Sequence, residues 1–334
     1  MNRFFLVVLI MFSFLGCKQN QFVEVPELPE FPFVWAYYVE NSKMTYAQAF
    51  AFDDIYGDKP AIIFEDIFLD DSYDICLKKN DALLAQYEHS IYIDTFVYII
   101  DNVGEEPDTN IFLGRPVSYN YRSEIQSMTS DSAGDSFELT IQHPDFEAMY
   151  AQQEMPQKVP IKQLELLSVA LASNGFYRAN IEITIDDPQE MTNYYEITGA
   201  ILPPDNLGNV TTQDIALRPF DIGADDPEII DYFPIPNNSS IYLADKSFNG
   251  QTKKINFWTG AFLEPELPDD FYIIWRCVSP EWYRFFEARR AAFENPFLND
   301  NDNLTQPYSL PFNIEGGGFG LFGVGTEEIY KVEK

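Results

Sequence analysis

The chain has 334 residues, with 53 acidic against 21 basic side chains and 2 His, a formal net charge of −32. That balance excludes a conventional nucleic-acid-binding surface, which needs clustered Lys and Arg against phosphate, while 46% hydrophobic and 16% aromatic residues are too many for a disordered acidic tail. The length exceeds one typical core, so two domains are expected, and two His with three Cys leave little material for imidazole or thiol chemistry.

At the N-terminus, Met1-Asn2-Arg3 is a short basic head. Phe4 to Leu15 follows as an apolar run of 12 residues broken only by Ser13. Such a run is too short to cross a bilayer, which takes ~20 residues, and has the length of a signal-peptide core. It closes in Phe14-Leu15-Gly16-Cys17, the pattern of a bacterial lipoprotein signal. The small Gly16 lets a peptidase cut before Cys17, whose thiol then carries the lipid. Residues 1–16 are therefore expected to be a signal peptide and Cys17 a lipidated anchor, with two or more acyl chains for stable attachment. Cleavage removes Arg3 and no acid, so the remaining body is more acidic still. Charge of one sign keeps such a body soluble and holds it off an anionic lipid surface.

Residues 17–32 hold the anchor Cys17 and then a tether, 18–32, in which Pro26, Pro29 and Pro32 keep step with Glu24, Glu27 and Glu30. This spacing favours an extended, polyproline-like conformation, and the 15 residues of 18–32 at ~3.1 Å each reach about 45 Å. The first strand is expected near Phe33. Beyond it most of the chain reads as β-structure. Phe137, Leu139 and Ile141 alternate with polar residues over Ser136–Gln142, and so do Tyr177, Ala179, Ile181, Ile183 and Ile185 over Phe176–Ile185. A period of two gives one buried and one wet face. Ile91–Ile100, Ile161–Leu171 and Phe271–Val278 are nearly continuous apolar runs, which suit central strands covered on both sides. Clusters of Pro, Asn and Asp at 186–188, 203–206 and 236–238 separate the runs.

Two helices are expected. A weak one spans Asn80 to Glu88 through Leu83, Leu84 and Tyr87. A stronger one spans 279–294: Ser279-Pro280-Glu281 supplies a cap, a Pro at the first helical position and an early acid. Trp282, Phe285, Phe286 and Phe293 then share one face. The fold class expected is all-β and mainly antiparallel, with two sandwich-like units. An immunoglobulin-like one covers 33–160, and a second covers 161–334 with the helix and a Gly-rich motif at 313–323. The boundary falls near Pro156–Pro160.

Catalytic patterns fail. His89 and His143 are the only imidazoles, and no nucleophile elbow, phosphate loop or zinc motif occurs. Paired carboxylates are uninformative among 53 acids. Asn299-Asp300-Asn301-Asp302-Asn303 resembles the start of a calcium loop, but Leu310 and Pro311 stand where the bidentate acid belongs. The pairs Asp53-Asp54, Asp70-Asp71, Asp186-Asp187, Asp225-Asp226 and Asp269-Asp270 read as turns. Neither a metal nor a cofactor is implied. Cys76 and Cys277 read as two separate buried thiols. Arg284, Arg289 and Arg290, on the same helix as Trp282, are the one local excess of base. They suit a grip on a partner's carboxylates, or a helix face balanced by Glu281, Glu287 and Glu294.

Several segments together resemble the Bacteroidota lipoproteins catalogued as domain of unknown function 4249. They are Val23-Glu24-Val25-Pro26 after the anchor, Phe137-Glu138-Leu139-Thr140-Ile141, and Met155-Pro156 with Val159-Pro160-Ile161. Asp187-Pro188 with Asn193-Tyr194-Tyr195 and Asp245 with Phe248-Asn249-Gly250 continue the likeness. Ser279-Pro280-Glu281-Trp282-Tyr283, Asn295-Pro296-Phe297 and Asn313 to Gly323 complete it. The last is the most specific, and here it carries one extra Gly. The resemblance implies a β-rich outer-membrane lipoprotein without catalysis, at the cell surface or on the periplasmic face. It further implies an accessory role beside a TonB-dependent, SusC-like barrel; Arg284, Arg289, Arg290, Trp282 and Asn313 are the candidate partner contacts. A subunit of an outer-membrane assembly or export machinery is the alternative. A surface carbohydrate or peptide binder is another, and would need Trp35, Trp258 or Trp282 in an open groove. A hydrolase would need two converging carboxylates.

Overall fold

Alternation of apolar and polar side chains carries most of the chain into strands, and the ordering of those strands follows from where each apolar face is covered. The computed structural model describes residues 31–52, 71–93, 97–99, 111–113, 118–125, 130–172, 175–189, 191–201, 218–219, 221–231, 240–262, 265–269, 271–294 and 311–334. The signal segment, Cys17, residues 18–30, Asp53-Asp54 and the Asn299–Asn303 loop lie outside them.

In chain order the strands are β1 (Phe31–Val39), β2 (Met44–Phe52), β3 (Asp74–Lys79), β4 (Ala82–Gln86), β5 (Glu88–Ile93), β6 (Val97–Ile99) and β7 (Ile111–Leu113). Next come β8 (Ser118–Glu124), β9 (Ser136–His143), β10 (Phe146–Glu154), β11 (Ile161–Leu171), β12 (Tyr177–Asp186) and β13 (Tyr194–Ile201). The short β14 (Arg218–Pro219), β15 (Ile222–Gly223) and β16 (Ile230–Asp231) lead to β17 (Ser240–Ala244), β18 (Thr252–Phe262) and β19 (Phe271–Val278). Helix α1 (Pro280–Glu294), β20 (Glu315–Gly316) and β21 (Phe319–Lys331) complete the order.

One ten-stranded sheet runs through the molecule in the order β16-β17-β13-β19-β21-β1-β2-β8-β5, with β14 added on β13. A five-stranded sheet, β20-β10-β9-β3-β4, and a four-stranded sheet, β11-β12-β18-β15, pack on the same face of it; β6 and β7 pair with each other. Pairing among the described strands is antiparallel except between β1 and β21, which run parallel from Phe33↔Phe319 to Val39↔Gly325. The all-β, sandwich-like reading therefore holds.

Two cores fill the layers. The first joins Val34, Ala36 and Tyr38 of β1 to Ile75, Leu77, Phe137, Leu139 and Ile141 of the five-stranded sheet, with Phe322 and Val324 from β21. The second joins Ile197, Ile241, Ile273 and Trp275 to Ile181, Ile183, Ile255 and Phe257 of the four-stranded sheet. Each such side chain is worth about 1.5–3 kcal/mol of transfer free energy when fully buried. The chain passes from the first core to the second between Met155 and Val159. There Trp275 Nε1 donates to the Val159 carbonyl at 2.6 Å.

Four expectations need correction. The helix expected over Asn80–Glu88 is a hairpin of β3 and β4. Asn80 and Asp81 take φ of 48° and 66°, the left-handed values a two-residue hairpin turn demands and that Asn and Asp tolerate. The run Ile161–Leu171 is the outer edge of its sheet, not a central strand. Irregularities at Ile161/Gln163 and Leu166/Ser168 shift its inward phase, leaving Leu167 and Leu171 53% and 61% exposed. The run Ile91–Ile100 divides between β5, at the other sheet's edge, and β6. Cys76 is partly exposed on the outer face of the five-stranded sheet, its thiol 2.8 Å from Gln86 Oε1. Cys277 is buried as expected, unpaired, with burial pushing its thiol up to about 12. Phe271–Val278 is indeed a central strand, buried on both faces.

Candidate partner-binding face

Helix α1 begins directly after β19. Pro280 is its first residue, where a fixed φ is pre-set and the missing N–H costs nothing. The buried Ser279 before it accepts a bond from Val324 N at 3.4 Å, fastening the turn to β21. The helix lies on the face of the ten-stranded sheet opposite both cores. Its apolar side meets a seam of outward aromatic residues: Trp282 on Tyr37 (5.3 Å between centroids), Phe285 on Trp35 (5.4 Å) and Phe286 stacked on Tyr242 (4.3 Å). Pairs like these add about 0.5–1.5 kcal/mol each beyond area burial. Backbone spacing makes the seam possible: a Cβ on Gly323 would lie 2.2 Å from the Trp282 ring.

Beside the seam sits a buried ionic group. Arg276 of β19 bonds Glu196 of β13 at 3.0 Å and Glu327 of β21 at 2.9 Å, and Tyr242 donates to Glu196 at 3.1 Å. Burial opposes the guanidinium charge, but the two carboxylates outweigh it and hold Arg276 above its ordinary range. Burial, reinforced by Glu196, raises the Tyr242 phenol well above its usual value.

The outer edge of α1 borders an open cleft of ≈ 420 Å³, lined by Glu228, Ile230, Lys246, Tyr283, Glu287 and Arg290. Its charges are paired: Lys246 with Glu287 at 3.3 Å, Lys253 with Glu228 at 3.1 Å. Arg290 donates to the Ile229 carbonyl at 2.7 Å. Burial and the neighbouring Glu287 raise the Tyr283 hydroxyl above its ordinary value. Arg284 points to solvent and bonds Glu281 at 3.2 Å. Exposed pairs of this kind are worth little, so a partner's charges can replace them at small cost.

Among the sequence-derived contacts, Arg284, Arg290 and Trp282 thus share α1, but Trp282 faces inward and is 7% exposed. The Arg289 side chain lies outside the described residues. Asn313 is elsewhere: its amide donates to the Phe322 carbonyl at 2.6 Å and accepts from Phe322 N at 2.8 Å, bracing β21 from the side. Lys246 and Tyr283 were not foreseen as cleft residues. Tyr283 follows Trp282 in the motif, and only helix phase separates its cleft-facing role from Trp282's inward one.

The other motif segments converge on structure. Asp187 accepts from the Tyr195 hydroxyl, from Asn193 Nδ2 at 3.3 Å and from Gly250 N at 3.0 Å. Asp245 accepts from Asn193 N at 2.8 Å, while its other oxygen has no partner among the described residues. Burial raises the Asp245 carboxyl above the usual range, and Asp187 adds to the shift. Gly316 takes φ 108° and presses against β10, where a Cβ would lie 2.2 Å from the Ala148 carbonyl. His143 ends β9, its Nδ1 accepting from Asp145 N at 3.1 Å.

Among the described residues no helix is long and apolar enough to cross a membrane, and no three His, Cys, Asp or Glu side chains converge as a metal site. The family model described as "Domain of unknown function (DUF4249)" matches residues 70–330. No curated protein matches the chain.

Proposed function

The chain belongs to the DUF4249 family, and from that premise we propose that it is a non-enzymatic outer-membrane lipoprotein, an accessory subunit of a TonB-dependent, SusC-like β-barrel serving uptake. The observation that carries this reading is the Phe4–Leu15 run ending in Gly16-Cys17. A lipid on Cys17 confines the body to the membrane plane, which raises its effective concentration beside any barrel there. The Pro- and Glu-spaced segment after it gives the body reach. Helix α1 supplies the contact surface, because its inner side is seated on the central sheet while Arg284 and the cleft remain open to a partner. A rigid, pre-seated helix loses little freedom on docking.

The test is a mild-detergent pull-down of tagged protein from native membranes, together with growth on a labelled fatty acid. A barrel is expected at near-stoichiometric amount, reduced by Arg284→Glu, and the label is expected to vanish with Cys17→Ser. Protein that elutes alone under several detergents, or that keeps its label without Cys17, overturns the proposal.

A further inference from the structure

The four-stranded sheet turns a second surface to solvent, on the side of the molecule opposite α1. Across its strands Ser168, Asn180, Trp258 and Gly223 form one row. Arg178 sits over that indole, its guanidinium carbon 3.7 Å from the ring centroid. In a chain with 53 acids, Arg178 makes no hydrogen bond and no ion pair among the described residues. Asn180 uses its Nδ2 on Ser168 at 2.8 Å, which leaves its Oδ1. Asn256 lies in the next row, beside Glu182 and Glu165, and Lys254 neutralises Glu182 at 2.5 Å.

We propose that this face is a binding site for a uronate-bearing saccharide, with the sugar carboxylate held by the fork of Arg178. The contact with the indole restrains the guanidinium without using its N–H donors. A carboxylate then docks bidentately with little ordering cost. The indole face is already covered, so a neutral pyranose cannot stack on it, and selectivity rests on the carboxylate. Asn180, Asn256 and Glu165 supply the mixed donors and acceptors that ring hydroxyls need. An acidic peptide would satisfy Arg178 but has no hydroxyls for that row. The general negative charge repels anions, so recognition depends on Arg178. The ten-stranded sheet separates the site from α1, so a bound barrel does not obstruct it, and the site stands whether or not the barrel proposal does.

The experiment titrates the full chain, in mild detergent, with trigalacturonate, galactotriose and polyglutamate, read by calorimetry and tryptophan emission. Saturable binding of trigalacturonate is expected, about tenfold or more tighter than galactotriose, and Arg178→Gln is expected to weaken it by about tenfold or more. Far-UV circular dichroism of that variant should match the parent, showing that it is folded, because the side chain makes no hydrogen bond or ion pair among the described residues. Absence of saturable binding, equal binding by Arg178→Gln, or polyglutamate binding as tight as trigalacturonate each overturns the proposal.

Discussion

Replacing Arg276 by Met keeps the aliphatic stem and removes the charge. The guanidinium is 11% exposed and holds two carboxylates that are 5% and 3% exposed, at 3.0 and 2.9 Å. Breaking a buried pair by removing one partner costs about 3–5 kcal/mol, because an uncompensated charge stays inside. Here two carboxylates lose their common partner, which places the loss at the upper end. The Tyr242 hydroxyl remains on Glu196 and offsets about 1 kcal/mol. The assay is urea unfolding followed by far-UV circular dichroism at neutral pH, comparing midpoints at a common slope. The loss should be large. The variant that also carries Glu196→Gln and Glu327→Gln should regain most of it. A loss below about 1 kcal/mol at neutral pH, the range of an exposed pair, would refute the buried-network reasoning.

Two further outcomes test other parts of the fold. Gly323→Ala places a Cβ 2.2 Å from the Trp282 ring and is expected to cost about 1–3 kcal/mol through overpacking. Near-UV circular dichroism should change with it, and an unaltered spectrum and midpoint would mean that α1 is not seated on β21. For Asp245, burial and Asp187 raise the folded-state carboxyl above its unfolded value. Its contribution is therefore complete in acid and is lost as pH rises through the folded value. Asp245→Asn should thus gain on the parent between acid and neutral pH, and a midpoint difference that stays flat with pH sinks the assignment.

Much of the strand framework was legible because burial writes itself into alternation. Phe137, Leu139 and Ile141, and Ile181, Ile183 and Ile185, all lie at 0% exposure, on the faces their period of two indicates. Helix α1 was legible from Ser279-Pro280-Glu281 and its aromatic spacing. Failures arose where a local irregularity resets the phase. The bulges of β11 made an edge strand resemble a buried one, and the Asn80-Asp81 turn hid a hairpin inside a helix-like pattern. The site features depend on register, which no single segment carries. Arg276 gave no sign of its partners, since Glu196 and Glu327 come from different strands. Arg178 and Trp258 meet only once β12 and β18 align.

The parallel pairing of β1 with β21 constrains how this protein is made. Strands from nearly opposite ends of the sequence stand side by side in the middle of the longest sheet. The first core therefore cannot close until β21 is delivered, since Phe322 and Val324 complete it. Pairings this distant along the chain form slowly, because loop closure precedes their reward. Up to that moment β1 presents an open edge and the five-stranded sheet an uncovered apolar face. Truncation before Phe319 should therefore yield aggregate rather than a smaller folded unit.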